Sequence, residues 1–203
     1  MLSESIKKLS VLKQASSYVV CLFLVLAVAP SLPTLRFLLA SSMTFHMAIQ
    51  IPALIIAGYL LSKTLFSVQS LSSLNSELSV NLSCWLWILL ASMFWMLPIS
   101  LDKALINPYW DVFKIITLLV SGLLLRPAFT GPKILSLFFI GSTIMMLFFI
   151  GYFYQGSELR LCNSYLIESQ QTAGVALICL AFSLLFVSIF LLRKEIFDPT
   201  TSS

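Results

Sequence analysis

The sequence predicts an all-α, polytopic membrane protein, a bundle of about six transmembrane helices with both termini in the cytoplasm. Three observations carry that prediction. First, 59% of the 203 residues are hydrophobic and only 10% are charged, with a mean hydropathy of +1.00. Soluble domains run at roughly 45–50% apolar and about 25% charged, and a soluble fold of this length has too little interior for so much Leu, Ile, Phe and Val. Second, the apolar residues gather into runs long enough to cross a bilayer, about 20 residues each. Third, lysine and arginine fall between these runs with a clear asymmetry between the two sides.

Residues 1–16 read as a cytoplasmic N-terminal segment, 17–192 as a single transmembrane domain and 193–203 as a cytoplasmic tail. The first run, Ser17–Leu32, follows Lys7, Lys8 and Lys13 and contains Ala27-Val28-Ala29, which has the form of a cleavage box. Pro30 stands where it blocks signal peptidase, so this run is read as a retained helix that ends in a reversal at Pro30 and Pro33. Phe37–Leu61 is the second span and Leu82–Ile99 the third, broken at its end by Pro98. Pro108–Leu125, the fourth, holds Asp111 and Lys114 in its first turns, where a carboxylate suits the positive end of the helix dipole. Gly131-Pro132 turns the chain into the fifth span, Pro132–Tyr154, and Gln171–Leu192 is the sixth. Between them, Ser67–Ser83 reads as a flexible serine- and asparagine-rich linker, Gln155–Gln170 as the longest outer loop, and Asp198–Ser203 as a disordered tail. No inverted internal repeat of the transporter kind is visible.

Orientation follows from the cations. Lys7, Lys8, Lys13, Lys63, Arg126, Lys133, Arg193 and Lys194 share one side, and Arg36, Lys103, Lys114 and Arg160 the other. The richer side is cytoplasmic. The net charge of +4 is thus topology and not a nucleic-acid footprint. The four cysteines show no CxxC spacing; Cys21 and Cys179 lie in apolar runs as packing residues, and a disulfide framework is not expected.

Chemistry centres on the second span, which holds the one histidine of the chain. Met43, His46, Met47 and Gln50 share a helix face, and His46 is expected close to mid-bilayer. Imidazole with thioether suits a soft cuprous ion, whereas a hard ion wants carboxylates. The alternative is an imidazole hydrogen-bonded to another helix, with the methionines filling core gaps, and on the chemistry alone that alternative is the default. Met93, Met96, Met145 and Met146 are further candidate sulfur donors. Asp102, beyond Pro98, is a second candidate: its carboxylate would hold a cation or pair with Lys103, Lys114 or Arg160, or be an ordinary interfacial charge beside an aromatic belt of Trp95, Tyr109 and Trp110. Cys162, in the outer loop near Glu168 and Gln170, is a third, with a capped helix start as its alternative. The candidate metal ligands are therefore His46, Met43, Met47, Asp102 and Cys162. No nucleophile, base and orienter can be assembled around one histidine, so no enzyme is expected. A small transporter is disfavoured because the spans show no carboxylate or lysine buried deep in the membrane.

His46-Met47 followed by Pro52 and Gly58, the segment Leu97-Pro98…Asp102-Lys103-Ala104-Leu105, and Gln170-Gln171-Thr172-Ala173-Gly174 occur in an order that resembles the CtaG-like membrane proteins, over residues 40–180. That resemblance implies a role in copper delivery for cytochrome c oxidase assembly, with a membrane oxidase as partner and the bacterial inner membrane as location. Two departures matter. Where those proteins carry a second histidine this chain has Gln50, and where they carry the acidic member of the late motif it has Ser169, with Glu168 alongside. The implied ligand set would then lean on methionine and cysteine. A metal-free scaffold or accessory subunit of a membrane complex is the alternative.

Overall fold

The computed structural model describes Val25 and residues 42–65, 78–157, 161 and 165–197. The predicted first span, the N-terminal segment, the tail Asp198–Ser203, most of the linker, Arg160 and Cys162 lie outside the described residues. Among the described residues there is no strand. A π-helical turn, Phe45–Gln50, leads directly into α1 (Ile51–Leu65). Then come α2 (Leu78–Trp95), the short α3 (Pro98–Ile106), α4 (Pro108–Phe129), α5 (Lys133–Gly156) and α6 (Ile167–Phe197). Among the described residues, five segments are long and apolar enough to cross a membrane: Phe45–Lys63, Leu78–Trp95, Pro108–Phe129, Lys133–Gly156 and Ile167–Leu192. They match the second to sixth predicted spans, and they make this a multi-pass membrane protein.

Boundaries differ where capping chemistry outweighs hydropathy. The described part of α2 opens at Leu78, so helix extends into the expected linker. α2 stops at Trp95, just before Pro98 as expected, with Leu97 extended ahead of the proline; Pro98 then stands in the first turn of α3, where its missing N–H costs no hydrogen bond. Asn107 caps α4 by accepting from the Tyr109 N–H at 2.9 Å, with Pro108 in the first turn. The π-turn has its own cause. In a regular α-helix the ring of Pro52 would collide with the Ala48 carbonyl and leave it without a donor. Widening the helix just before Pro52, with the Ile51 N–H bonded to the His46 carbonyl, accommodates the ring.

Helix direction alternates. α1 and α4 run parallel at a constant sequence offset: Gln50 meets Lys114 and Ser62 meets Arg126, each pair 64 residues apart. Gly58 faces Gly122 at the same offset, and Leu54 and Leu118 are both fully buried. α2 is antiparallel to α4, with the Trp95 indole donating to Thr117 Oγ1 (2.7 Å) and the Trp85 indole to the Ala128 carbonyl (3.0 Å). α5 runs with α2, its Tyr154 hydroxyl donating to the Met96 carbonyl at 2.8 Å. α6 returns along α5.

Lipid tails are as apolar as leucine, so packing here rests on close backbone approach and interhelical hydrogen bonds and not on hydrophobic exclusion. Many large side chains accordingly point outward on α5 and α6, among them Phe149, Phe186 and Phe190, while Gly151, Ala173, Gly174 and Ala181 are buried. Cys179 is also on the outside, so the packing role expected for it is replaced by an outward-facing one; Cys84 is the buried cysteine among those described. A Cβ on Gly58 would collide with the Leu119 carbonyl oxygen, and one on Gly122 with that of Ile55. Gly151 and Gly174 form the matching contact between α5 and α6, each leaving 2.6–2.7 Å between a built Cβ and the other's carbonyl oxygen. Gly58→Ala or Gly122→Ala should therefore destabilise the protein by about 1–3 kcal/mol or more, measured by thermal unfolding in detergent. Gly141→Ala, whose Cβ meets nothing within 4 Å, should stay within about 0.5 kcal/mol of the parent.

Candidate functional site

The polar interior is concentrated where the π-turn, the start of α4, the end of α5 and the start of α6 come together. α4 is amphipathic with its polar stripe inward: Asp111, Lys114, Thr117, Ser121 and Gly122 are buried, while Val112, Phe113 and Ile116 face out. Lys114 is the seventh residue of α4, roughly 9 Å along its axis, and is 1% exposed. Its ammonium pairs with the Asp111 carboxylate at 2.7 Å, one turn earlier on the same helix. It also donates to Gln50 Oε1 on the π-turn at 3.1 Å. That same oxygen lies 2.5 Å from His46 Nδ1. The result is one chain of contacts, Asp111–Lys114–Gln50–His46, joining two helices.

This chain overturns the premise used against transport. A carboxylate and a lysine are buried within a span, where a charge is stable only if paired. Lys114 is buried, and Asp111, in the first turn of α4 as expected, is also its ion-pair partner. The registry also places His46. At the offset linking α1 to α4 it stands about level with Trp110, near one end of the span among the described residues.

The π-turn is held in place by α6. Ser169 Oγ accepts from the Met43 N–H at 3.0 Å, which satisfies one of the orphan donors of a helix start, and Thr44 and Thr172 share a hydroxyl contact at 3.2 Å. Gln170 is buried; its Oε1 accepts from Leu161 N–H (3.0 Å), and its amide nitrogen reaches the Tyr154 carbonyl (3.4 Å) and the Ser157 carbonyl (3.5 Å). The polar residues that open α6 thus tie the end of α5, the loop and the π-turn together. Tyr165, also buried, meets the His46 ring edge-on with centroids 6.4 Å apart.

Of the sequence candidates, Met43, His46 and Met47 are all buried: Met43 and Met47 fully and His46 nearly so. Met96 is buried in the same core, with Met146 packed against it, whereas Met93 and Met145 face outward. Asp102 is half-buried on α3; among the described residues no group of three or more His, Cys, Asp or Glu could hold a metal, so it does not join His46 in such a set. Lys103 lies over the Trp110 ring at 5.0 Å, and Lys114 pairs with Asp111. Trp95 is not part of an interfacial belt: it is buried against Trp110 and Phe113. Cys162 lies outside the described residues. An open groove of about 500 Å³ beside α5 and α6 is lined by Gln155, Glu168, Gln171, Thr172 and Val175.

The residues missed from sequence were Asp111, Lys114 and Tyr165. A signal existed for the first two, since Asp111, Lys114, Thr117 and Ser121 recur at helical spacing on an otherwise apolar span. Compared with known proteins, the chain matches no family model, no curated protein and no solved structure. The likeness to CtaG-like proteins rests on the short motifs alone.

Removing one half of a buried ion pair strands the other half. Asp111→Ala should cost about 3–5 kcal/mol of stability, whereas Asp111→Asn with Lys114→Met, which removes both charges, should cost much less. Unfolding of the two variants in one detergent compares them directly.

Proposed function

We propose that this protein is an integral membrane accessory or assembly factor for a copper-containing respiratory oxidase, and that it handles Cu(I) at His46 with Met43 and Met47. One observation carries the reading: the single imidazole of the chain sits in a closed core with two fully buried methionines, its Nδ1 engaged by Gln50. Metal-binding histidines characteristically donate the hydrogen of their other ring nitrogen to an acceptor, which fixes the ring and raises its basicity. One imidazole nitrogen and two thioethers form a soft, uncharged donor set, suited to a monovalent soft ion. The nearby ammonium is neutralised by Asp111, so the surroundings do not add net repulsion toward a cation. Copper, when bound, would supply the cargo to be passed to the oxidase; the chain supplies orientation, burial and exclusion of water. The bacterial inner membrane is the corresponding location.

A metal-free scaffold is the second reading, favoured by the same polar chain viewed as a device that pins α1 to α4. Anaerobic titration with a competing Cu(I) chelator separates the two. The copper reading predicts stoichiometric Cu(I) uptake by the purified protein, lost in the His46→Ala, Met47→Ala variant. Equal uptake by parent and variant, or none by either, overturns it, and co-purification with a larger complex without metal favours the scaffold.

A further inference from the structure

We infer that Lys114 is a positioning residue that sets the tautomer of His46 through Gln50, so that a charge on one helix dictates which nitrogen of an imidazole on another carries the hydrogen. Its value for cargo binding rests on the copper reading above, but the inference itself concerns the metal-free protein. The argument follows from donor and acceptor chemistry. A lysine ammonium has three donors and no acceptor. The amide atom of Gln50 that faces it at 3.1 Å must therefore be the oxygen, which fixes an amide orientation that is otherwise a free choice. Both Lys114 and His46 approach that one oxygen. An oxygen only accepts, so His46 Nδ1 must donate, and the neutral ring keeps its lone pair on Nε2.

Three features make the setting firm. Lys114 is itself held by Asp111 at 2.7 Å, so the ammonium cannot swing away without leaving a buried carboxylate behind. Gln50 is fully buried and has no room to present its other face to water. The π-turn places residues 46 and 50 on one side of the helix directly before Pro52, which holds that geometry. Free histidine in water prefers the hydrogen on Nε2, so the protein imposes the less favoured form. A single charge-assisted contact supports an excess of the Nδ1–H tautomer of about tenfold or more.

The chain has one histidine, so nitrogen NMR of the full-length protein labelled with ¹⁵N-histidine reads one ring without ambiguity. In metal-free bilayer samples the parent should show a protonated Nδ1 and an unprotonated Nε2. The charge-free variant Asp111→Asn with Lys114→Met should lose that preference by about tenfold or more, and Lys114→Arg, which keeps a donor-only cation, should retain it. A parent spectrum with the hydrogen on Nε2 or on both nitrogens overturns the inference, as does an unchanged Nδ1–H ring in the charge-free variant. Copper uptake is measured separately, so a chain that fixes the tautomer but binds no Cu(I) refutes the proposed function and leaves this inference standing.

Discussion

The constraint on which the rest depends is the burial of the Lys114 ammonium. A lysine seven residues into a membrane helix must find a counter-charge and acceptors inside the protein, and the places where they occur decide how the helices dock. Asp111 supplies the charge from the same helix, and Gln50 supplies an acceptor from α1. That one cross-helix contact fixes the axial register of a parallel pair, and the same offset then brings Gly58 against Gly122 and Arg126 against the Ser62 carbonyl. Polar contact at one end and backbone contact in the middle are consistent with each other, as they must be for a single arrangement to be favoured.

Close approach is the second requirement. Two helices that touch through glycine bring their backbones near enough for polar side chains at the ends to meet, and without that the amide of Gln50 would fall short of α4. The α5–α6 crossing at Gly151 and Gly174 does the same work on the other side. It sets the start of α6 where Ser169 and Thr172 can hold the π-turn. The histidine is therefore positioned by four elements: its own widened helix turn, the ion pair of α4, the first turn of α6, and Tyr165 in the segment before it.

Much of this was legible in the sequence. The length of the apolar runs located the spans because hydrocarbon thickness and backbone satisfaction leave few choices. The stripe Met43, His46, Met47 and Gln50 was legible because helical spacing is strict, and it is buried as a unit. The position of His46 along the bundle was not, since it depends on the registry of its helix against α4, which only the contacts 64 residues apart reveal. The charges on α4 were misread for a related reason. Near a span end a lysine can either reach the interface or turn inward; Asp111 one turn earlier supplies the counter-charge, but the cross-helix acceptor Gln50 lies 64 residues away and is not evident from local sequence. The break at Pro98 is legible because proline disrupts a helix interior; that the same residue also opens the short helix α3 depends on the extended Leu97 before it.

The claim at the centre is that α1 and α4 are coupled energetically through the amide of Gln50 and the ammonium of Lys114. A double-mutant cycle on unfolding stability, using Gln50→Leu, Lys114→Met and the combination, measures that coupling directly. The predicted result is an interaction energy of about 1.5–3 kcal/mol, the range for a hydrogen bond to a charged group. Additivity of the two substitutions to within about 0.5 kcal/mol would contradict it.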